Sequence, residues 1–315
     1  MKRRSFIQKT GLGLTSIGLS SVFLSGCSDL MSEDAALALD TTIPDTFPYG
    51  ISLAQWSLHK SFWAGELTTL DFAKVTREKF GLSGVEYVNQ FFSDKAEDTD
   101  FLNQMNQRAS DNGVENVLIM IDNEGSLAVL DESARLQAVE KHYKWINAAK
   151  HLGCHSIRVN AAGKGNADDV AAAAVDSLGR LAEYGAKEGI GVVVENHGGY
   201  SSDATWLVNV MKQVNNPNCG TLPDFGNFII SLFPPQNYDP YKGVEELMPY
   251  AKGVSAKTHD FNSAGQDRKI DYARMMQIVD NSGYKGFIGI EYEGYKLSEE
   301  AGILATKKLI LDSVA

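Results

Sequence analysis

The sequence predicts a single α/β domain folded as a (β/α)8 TIM barrel. Three observations carry that expectation. Strand-like and helix-like runs alternate along the chain through eight units. Runs such as Gly191-Val192-Val193-Val194 are apolar on both faces, as parallel strands covered by helices must be. Three of these strands then end in a carboxylate: Glu195, Asp224 and Glu291. Barrels of this kind keep their chemistry at the carboxyl ends of the strands. The competing open doubly wound sheet is disfavoured, because no Gly-rich dinucleotide fingerprint follows the first strand.

The elements read in order as follows. Strand one covers Gly50 to Trp56, with a helix from Thr69 to Lys79. Strand two is Gly84 to Val88, followed by a helix over Thr99 to Asn112. Strand three, Glu115 to Ile121, leads to a helix from Ser133 to Leu152. Strand four, His155 to Asn160, precedes the alanine-rich helix Ala167 to Glu188. The Glu195 strand is fifth, with a helix from Asp203 to Gln213, and the Asp224 strand is sixth. Strand seven is Ala251 to Lys257, then a helix from Ile270 to Asn281. Strand eight is Phe287 to Tyr292, with a last helix from Ser298 to Asp312. Helix stop signals stand at Gly81, Gly113, Gly153, Gly189, Asn218 and Gly283. The proline- and aromatic-rich stretch Phe233 to Tyr241 has two open uses: a lid over the pocket, or a contact within a homo-oligomer.

The amino terminus reads as an address rather than as fold. Arg3-Arg4 and the apolar pair after Ser5 resemble a twin-arginine export signal, and Leu24-Ser25-Gly26-Cys27 resembles a bacterial lipobox. Residues 1–27 are therefore expected to be a signal segment and 28–48, small and acidic, a flexible tether. On this reading residues 49–315 form the barrel domain, exported and held at the periplasmic face of a membrane through a lipidated Cys27. The roughly 265 residues of that domain match the usual size of one barrel. A hydrophobic content of 43% and a charged content of 22% suffice for an ordinary core. A net charge of -11 argues against a nucleic-acid partner, which would need a basic footprint. Cys154 and Cys219 are expected as isolated buried thiols rather than a disulfide.

Strand ends and the loops after them supply the candidate chemistry: Gln55, Trp56 and His59; Glu86 and Asn89; Asp122; Asn160; Glu195 and His197; Asp224 and Asn227; Lys257 and His259; Glu291 and Glu293. No G-x-S-x-G elbow is present, so a serine triad is not supported. Converging carboxylates repel one another unless a cation sits among them. Residue types alone leave two readings open. One is a divalent metal held by hard oxygens and an imidazole; the other is a set of strand-end caps paired with Lys257 or Arg158. Glu293 is expected on the face away from Glu291. His142, His151 and His155 are expected to be structural.

Glu86, then Glu195-Asn196-His197, then Asp224-x-Gly-Asn, then Ile290-Glu291, in this order on successive strands, resemble the xylose-isomerase-like barrel superfamily of sugar isomerases and epimerases. The resemblance covers the whole mature chain and implies a divalent metal (Mn, Mg, Zn or Fe) on Glu195, Asp224 and Glu291. A fourth, histidine ligand is implied after strand seven. Aligning Lys257 with the family's lysine puts Ser255 at that position, leaving His259 or His197 to substitute. The resemblance further implies an enediolate mechanism on a sugar or keto-sugar, with Glu195 and Glu291 moving protons and Lys257 stabilising oxyanion charge. Trp56 or Trp206 would stack on the substrate, with Glu86, Asn160, His197 and Asn227 as further contacts. A small unphosphorylated carbohydrate is the expected partner. Elimination from a 3-keto-sugar or keto-glycoside is the alternative at the same site. A non-catalytic sugar-binding lipoprotein is the alternative of another class.

Overall fold

A computed structural model describes residues 29–314. Eight parallel strands form one sheet: β1 (Gly50–Ala54), β2 (Gly84–Val88), β3 (Glu115–Met120), β4 (Ser156–Asn160), β5 (Gly191–Glu195), β6 (Cys219–Leu222), β7 (Val254–Thr258) and β8 (Phe287–Tyr292). Their order around the sheet is β6-β5-β4-β3-β2-β1-β8-β7. The two ends meet through backbone bonds, Lys252 N–H to Thr221 O and Ser255 N–H to Pro223 O, so the barrel closes. Closure removes the open sheet edges that would otherwise leave ladder groups unpaired.

Each strand sits where its sequence demands. Val192, Val193 and Val194 are fully buried, shared between the barrel interior and the surrounding helices. Helices Thr69–Phe80, Thr99–Asp111, Glu132–Leu152, Ala167–Glu188, Ala204–Val214, Pro240–Leu247, Tyr272–Asn281 and Glu299–Ser313 form the outer ring. The fourth of these ends at Gly189, whose φ of 74° favours a residue without Cβ. The fifth stops at Asn215 rather than at Asn218. Asn218 serves instead as a side-chain brace, its amide donating to Ala182 O and Ile190 O. Cys154 and Cys219 are free, buried thiols, as their isolation in the sequence implied.

Two segments depart from expectation. Residues 29–48, read as a flexible tether, pack on the barrel. Ala36 in the short helix Glu33–Leu37 is buried, and Met31, Leu39, Ile43 and Phe47 rest against the core. The Glu33 carboxylate also accepts from Ser298 N–H at the start of the last helix. Sparse apolar residues spaced along an acidic stretch thus suffice to dock it, which composition alone hides. The stretch after β6 forms a two-stranded hairpin, Ile229–Leu232 with Pro235–Asn237, and no residue of it lines the cavity described below. The twin-arginine and Cys27 segment lies outside the described residues. Among the described residues no helix is long and apolar enough to cross a membrane.

Candidate active site

A cavity of about 730 Å³ opens at the carboxyl ends of the strands. Its floor is set by strand alternation: residues two apart on one strand share a face. On β4, Arg158 and Asn160 therefore point the same way, and on β8 Glu291 is followed on its own side by Glu293. Both pairs line the cavity. The expectation that Glu293 faces away from Glu291 is thus corrected by the period of the strand itself.

Beneath the cavity Glu195, Asp224 and Glu291 converge, with one oxygen of each lying within 4.8 Å of the others. All three are buried. The loop after β6 is shaped around Asp224, whose Oδ1 accepts from Gly226 N–H and Asn227 N–H, each at 2.8 Å. Asn196 clamps the same loop, its Oδ1 accepting from Asp224 N–H and its Nδ2 donating to Asp224 O. The Asn227 side chain donates to Glu195 Oε1 at 3.0 Å, so it orients that carboxylate.

Two protein cations stand among the acids. Lys257 Nζ lies 3.5 Å from Asp224 Oδ2, from Glu291 Oε1 and from Glu293 Oε2. Arg158 Nη1 donates to Asp122 Oδ1 at 2.9 Å. Its Nε approaches Glu195 Oε2 at 2.9 Å, out of line for a hydrogen bond. These cations do not balance Glu86, Asp122, Glu195, Asp224, Glu291 and Glu293 together. Burial outweighs the relief that Arg158 gives and, with a smaller repulsion from Glu291, pushes the Glu195 carboxyl up to about 7. Burial outweighs Lys257 at Asp224 as well, which is raised to about 7. At Lys257 burial works downward, and the surrounding carboxylates overcome it, holding the ammonium well above its ordinary value. At Asp122 burial works upward and Arg158 overcomes it, keeping that carboxyl low.

The donor set fits a hard divalent cation. The Ser255 hydroxyl lies 2.7 Å from Asp224 Oδ2 and 2.9 Å from Glu291 Oε2, yet it has one proton to give. Glu195 Oε2 is buried with no hydrogen bond. Carboxylate oxygens left this way rely on the nearby charges of Lys257 and Arg158, on a further proton, or on a metal. A buried acidic triad able to hold a metal is therefore present, with the Ser255 hydroxyl beside it.

The other sequence candidates divide. Trp56, Asn160 and His197 line the cavity. Asn160 Nδ2 donates to Asp122 Oδ1, and His197 stands on an exposed loop with burial of its imidazole lowering its pKa. Glu86 does not line the cavity: it is buried inside the barrel, with Ser52 Oγ donating to its Oε1 at 2.6 Å and its Oε2 unpartnered. Trp206 is likewise elsewhere, its indole donating to Ala167 O and its ring stacked on Tyr200. His259 stays outside the triad, its Nε2 lying 3.9 Å from Glu293 Oε2. β7 ends at Thr258, so the chain has already left the barrel face that Ser255 and Lys257 share. His142 reaches the cavity wall, contrary to its expected placement, although its Nδ1 is tied to Ala138 O at 2.7 Å. Arg158 was named in the sequence only as a salt-bridge partner. Its place between Ile157 and Val159, in register with Asn160, was the signal that it points inward.

A TIM-barrel enzyme with an acidic site at the carboxyl ends of its strands is the class that this fold and floor define. The chain belongs to the xylose isomerase-like TIM barrel family, whose profile matches residues 76–312. Among solved structures it is similar to a sugar phosphate isomerase/epimerase from Parabacteroides distasonis (17% identity, 88% of this chain and 100% of that one, TM-score 0.63). It is also similar to the 3-keto-D-glucoside 4-epimerase of E. coli (12% identity, 84% and 99%, TM-score 0.60). A third is a xylose isomerase-like TIM barrel protein from Mycobacterium smegmatis in complex with magnesium (15% identity, 86% and 98%, TM-score 0.61). At such identities the likeness is one of fold. No curated protein matches the chain in sequence.

Proposed function

We propose that the protein is an exported, lipid-anchored carbohydrate isomerase or epimerase that works by proton transfer through an enediolate. The observation that carries this is the triad of Glu195, Asp224 and Glu291 at the floor of a polar cavity, with Glu291 alone belonging to both. A divalent ion held by these three residues would supply Lewis acidity toward a sugar carbonyl and its neighbouring hydroxyl. Glu291 is the triad carboxylate that reaches the cavity, and it is assigned to take the proton from the substrate C–H; in an isomerisation it returns the proton to the neighbouring carbon, whereas an epimerisation needs a second acid on the opposite face of the enediolate. Glu195, shut beneath Arg158 and Asn227, holds charge and geometry. Lys257 offers positive charge to the oxyanion as it develops.

The cavity also favours an unphosphorylated substrate. Its wall carries Asp122, Glu124, Glu291 and Glu293; besides the histidines His142 and His197 it has one arginine and no lysine, and that arginine, Arg158, is already engaged by Asp122 and Glu195. A phosphate dianion would meet repulsion there and no free guanidinium.

The test combines metal content with solvent exchange. Mature protein purified without chelator is expected to retain roughly one divalent ion per chain, lost in Glu195→Gln and Asp224→Asn. In D2O it should place deuterium on the carbon next to the carbonyl of a keto-sugar, and Glu291→Gln should abolish this. Loss of a β substituent in the same spectra would identify elimination instead. Sugar binding without exchange in the wild type would identify a binding protein. Neither metal nor exchange, even with Mn²⁺ or Zn²⁺ supplied, would sink the proposal.

A further inference from the structure

An aromatic rim continues the cavity outward. Trp56 lines the cavity wall, and its indole N–H donates to Glu293 Oε1 at 2.5 Å. The His59 ring stacks on Trp56 at 5.0 Å between centroids and is held there by Nδ1 against Trp56 O at 2.7 Å. Trp63 stands edge-on to both, at 5.2 Å from Trp56 and 5.1 Å from His59. It is nonetheless 62% exposed. From the adjoining loop, Tyr295 follows two residues after the cavity-lining Glu293 and is 84% exposed. Lys60 joins the two loops, donating to Gly294 O at 3.0 Å with its ammonium 5.2 Å from the Tyr295 ring centroid.

Large aromatic side chains normally gain stability by burial, and ones that stay open beside a pocket offer flat apolar faces to a ligand. The apolar face of a sugar ring suits such a surface, while its hydroxyls remain in water. The cavity, at about 730 Å³, lies well within the range that holds drug-sized ligands and leaves room beyond a single sugar ring. We propose that Trp63, with Tyr295, forms an outer subsite that stacks the second ring of a glycoside whose reacting ring lies in the cavity. The substrate class is then an unphosphorylated disaccharide or its keto form rather than a free monosaccharide. This inference rests on the carbohydrate reading of the same site.

The experiment measures binding and needs no turnover. Purified mature protein is titrated with glucose, methyl glucoside, maltose, cellobiose and trehalose, followed by calorimetry. At least one disaccharide is expected to bind about tenfold more tightly than glucose, a difference of about 1.4 kcal/mol. Trp63→Ala should bring the two affinities together by weakening the disaccharide alone, and Trp63→Phe should restore most of the preference. Tyr295→Ala serves the same purpose should Trp63→Ala fail to fold. Equal affinity for glucose and every disaccharide in the wild type would overturn the subsite and leave the carbohydrate reading standing. A preference that survives both Trp63→Ala and Tyr295→Ala would overturn it too. Binding of no sugar at all would overturn the subsite together with the reading on which it rests.

Discussion

Ser255 brings one proton to two carboxylates, and much of the site's character follows from that. With its hydroxyl between Asp224 and Glu291, one of the two oxygens it meets must rely on Lys257, a bound cation or a proton of its own. Ser255→Ala removes the one neutral donor from a fully buried position and leaves both oxygens to those other partners. In the metal-free protein it is expected to lower stability by about 1–3 kcal/mol, read as a shift in the urea midpoint. Saturating divalent ion should erase most of that loss, because the ion would take over the same oxygens. A loss unchanged by metal would mean that Ser255 acts only as a core hydrogen-bond donor. At this scale the sequence was informative where an apolar strand ended in an acid, since a carboxylate buried there is costly unless it is paired, protonated or bound to a cation. Hence Glu195, Asp224 and Glu291 were legible and do converge. Glu293 and Arg158 were equally open to the period-two rule. Trp206 and Glu86 were not placeable, because whether a side chain tops the cavity or sits deeper depends on strand stagger, which sequence does not show.

Strands rather than helices locate the chemistry, and β8 shows how tightly they are fitted. Gly289 lies directly across from Glu86, and a Cβ at this position would collide with both Glu86 carboxylate oxygens. The carboxylate ends a flexible side chain, but it is buried and already bound to Ser52, so moving it aside breaks that bond. Gly289→Ala is therefore expected to destabilise the protein by about 1–3 kcal/mol, measured by chemical denaturation. Combined with Glu86→Ala, which removes the obstacle, it should cost much less than the sum of the two separate losses. Additive losses would show that the strain lies elsewhere on the strand. The eight strands and their helices were readable because each apolar run is bounded by glycine, asparagine or a capping acid, such as Asp131 before Glu132–Leu152. The hairpin of Ile229–Leu232 and Pro235–Asn237 was not. Its strands lie outside the barrel, Phe233 is 92% exposed at its turn, and no buried face imposes an alternation on it. The docking of 29–48 was hidden for a related reason: its few apolar contacts are made with distant parts of the chain.

The whole molecule carries an excess of negative charge, and the barrel interior concentrates part of it where water cannot screen it. Glu86 isolates the consequence. Burial first, and then repulsion from Glu291 and Glu195, raises its carboxyl from 4.5 to about 7, while Ser52 and Arg158 offset only part of this. Between those two values the folded protein keeps a proton that the unfolded chain has released. The contribution of Glu86 to stability is therefore complete below about 4.5 and declines as pH rises through about 7. Histidines with lowered values, such as His142, act in the opposite direction, so the overall pH profile mixes both. Comparing Glu86→Gln with the wild type cancels those other groups. At pH 5 the wild-type side chain is protonated and the amide is close to isosteric with it, so the two proteins should unfold at similar urea concentrations. At pH 8 the wild type must either ionise a buried carboxyl or hold its proton against solvent, and the variant does neither. Glu86→Gln is then expected to be the more stable protein by on the order of 3 kcal/mol, the equivalent of a shift of two to three pK units. A difference between variant and wild type that is the same at pH 5 and pH 8 would mean that Glu86 is already ionised at pH 5. The barrel interior would then contain a cation that balances it.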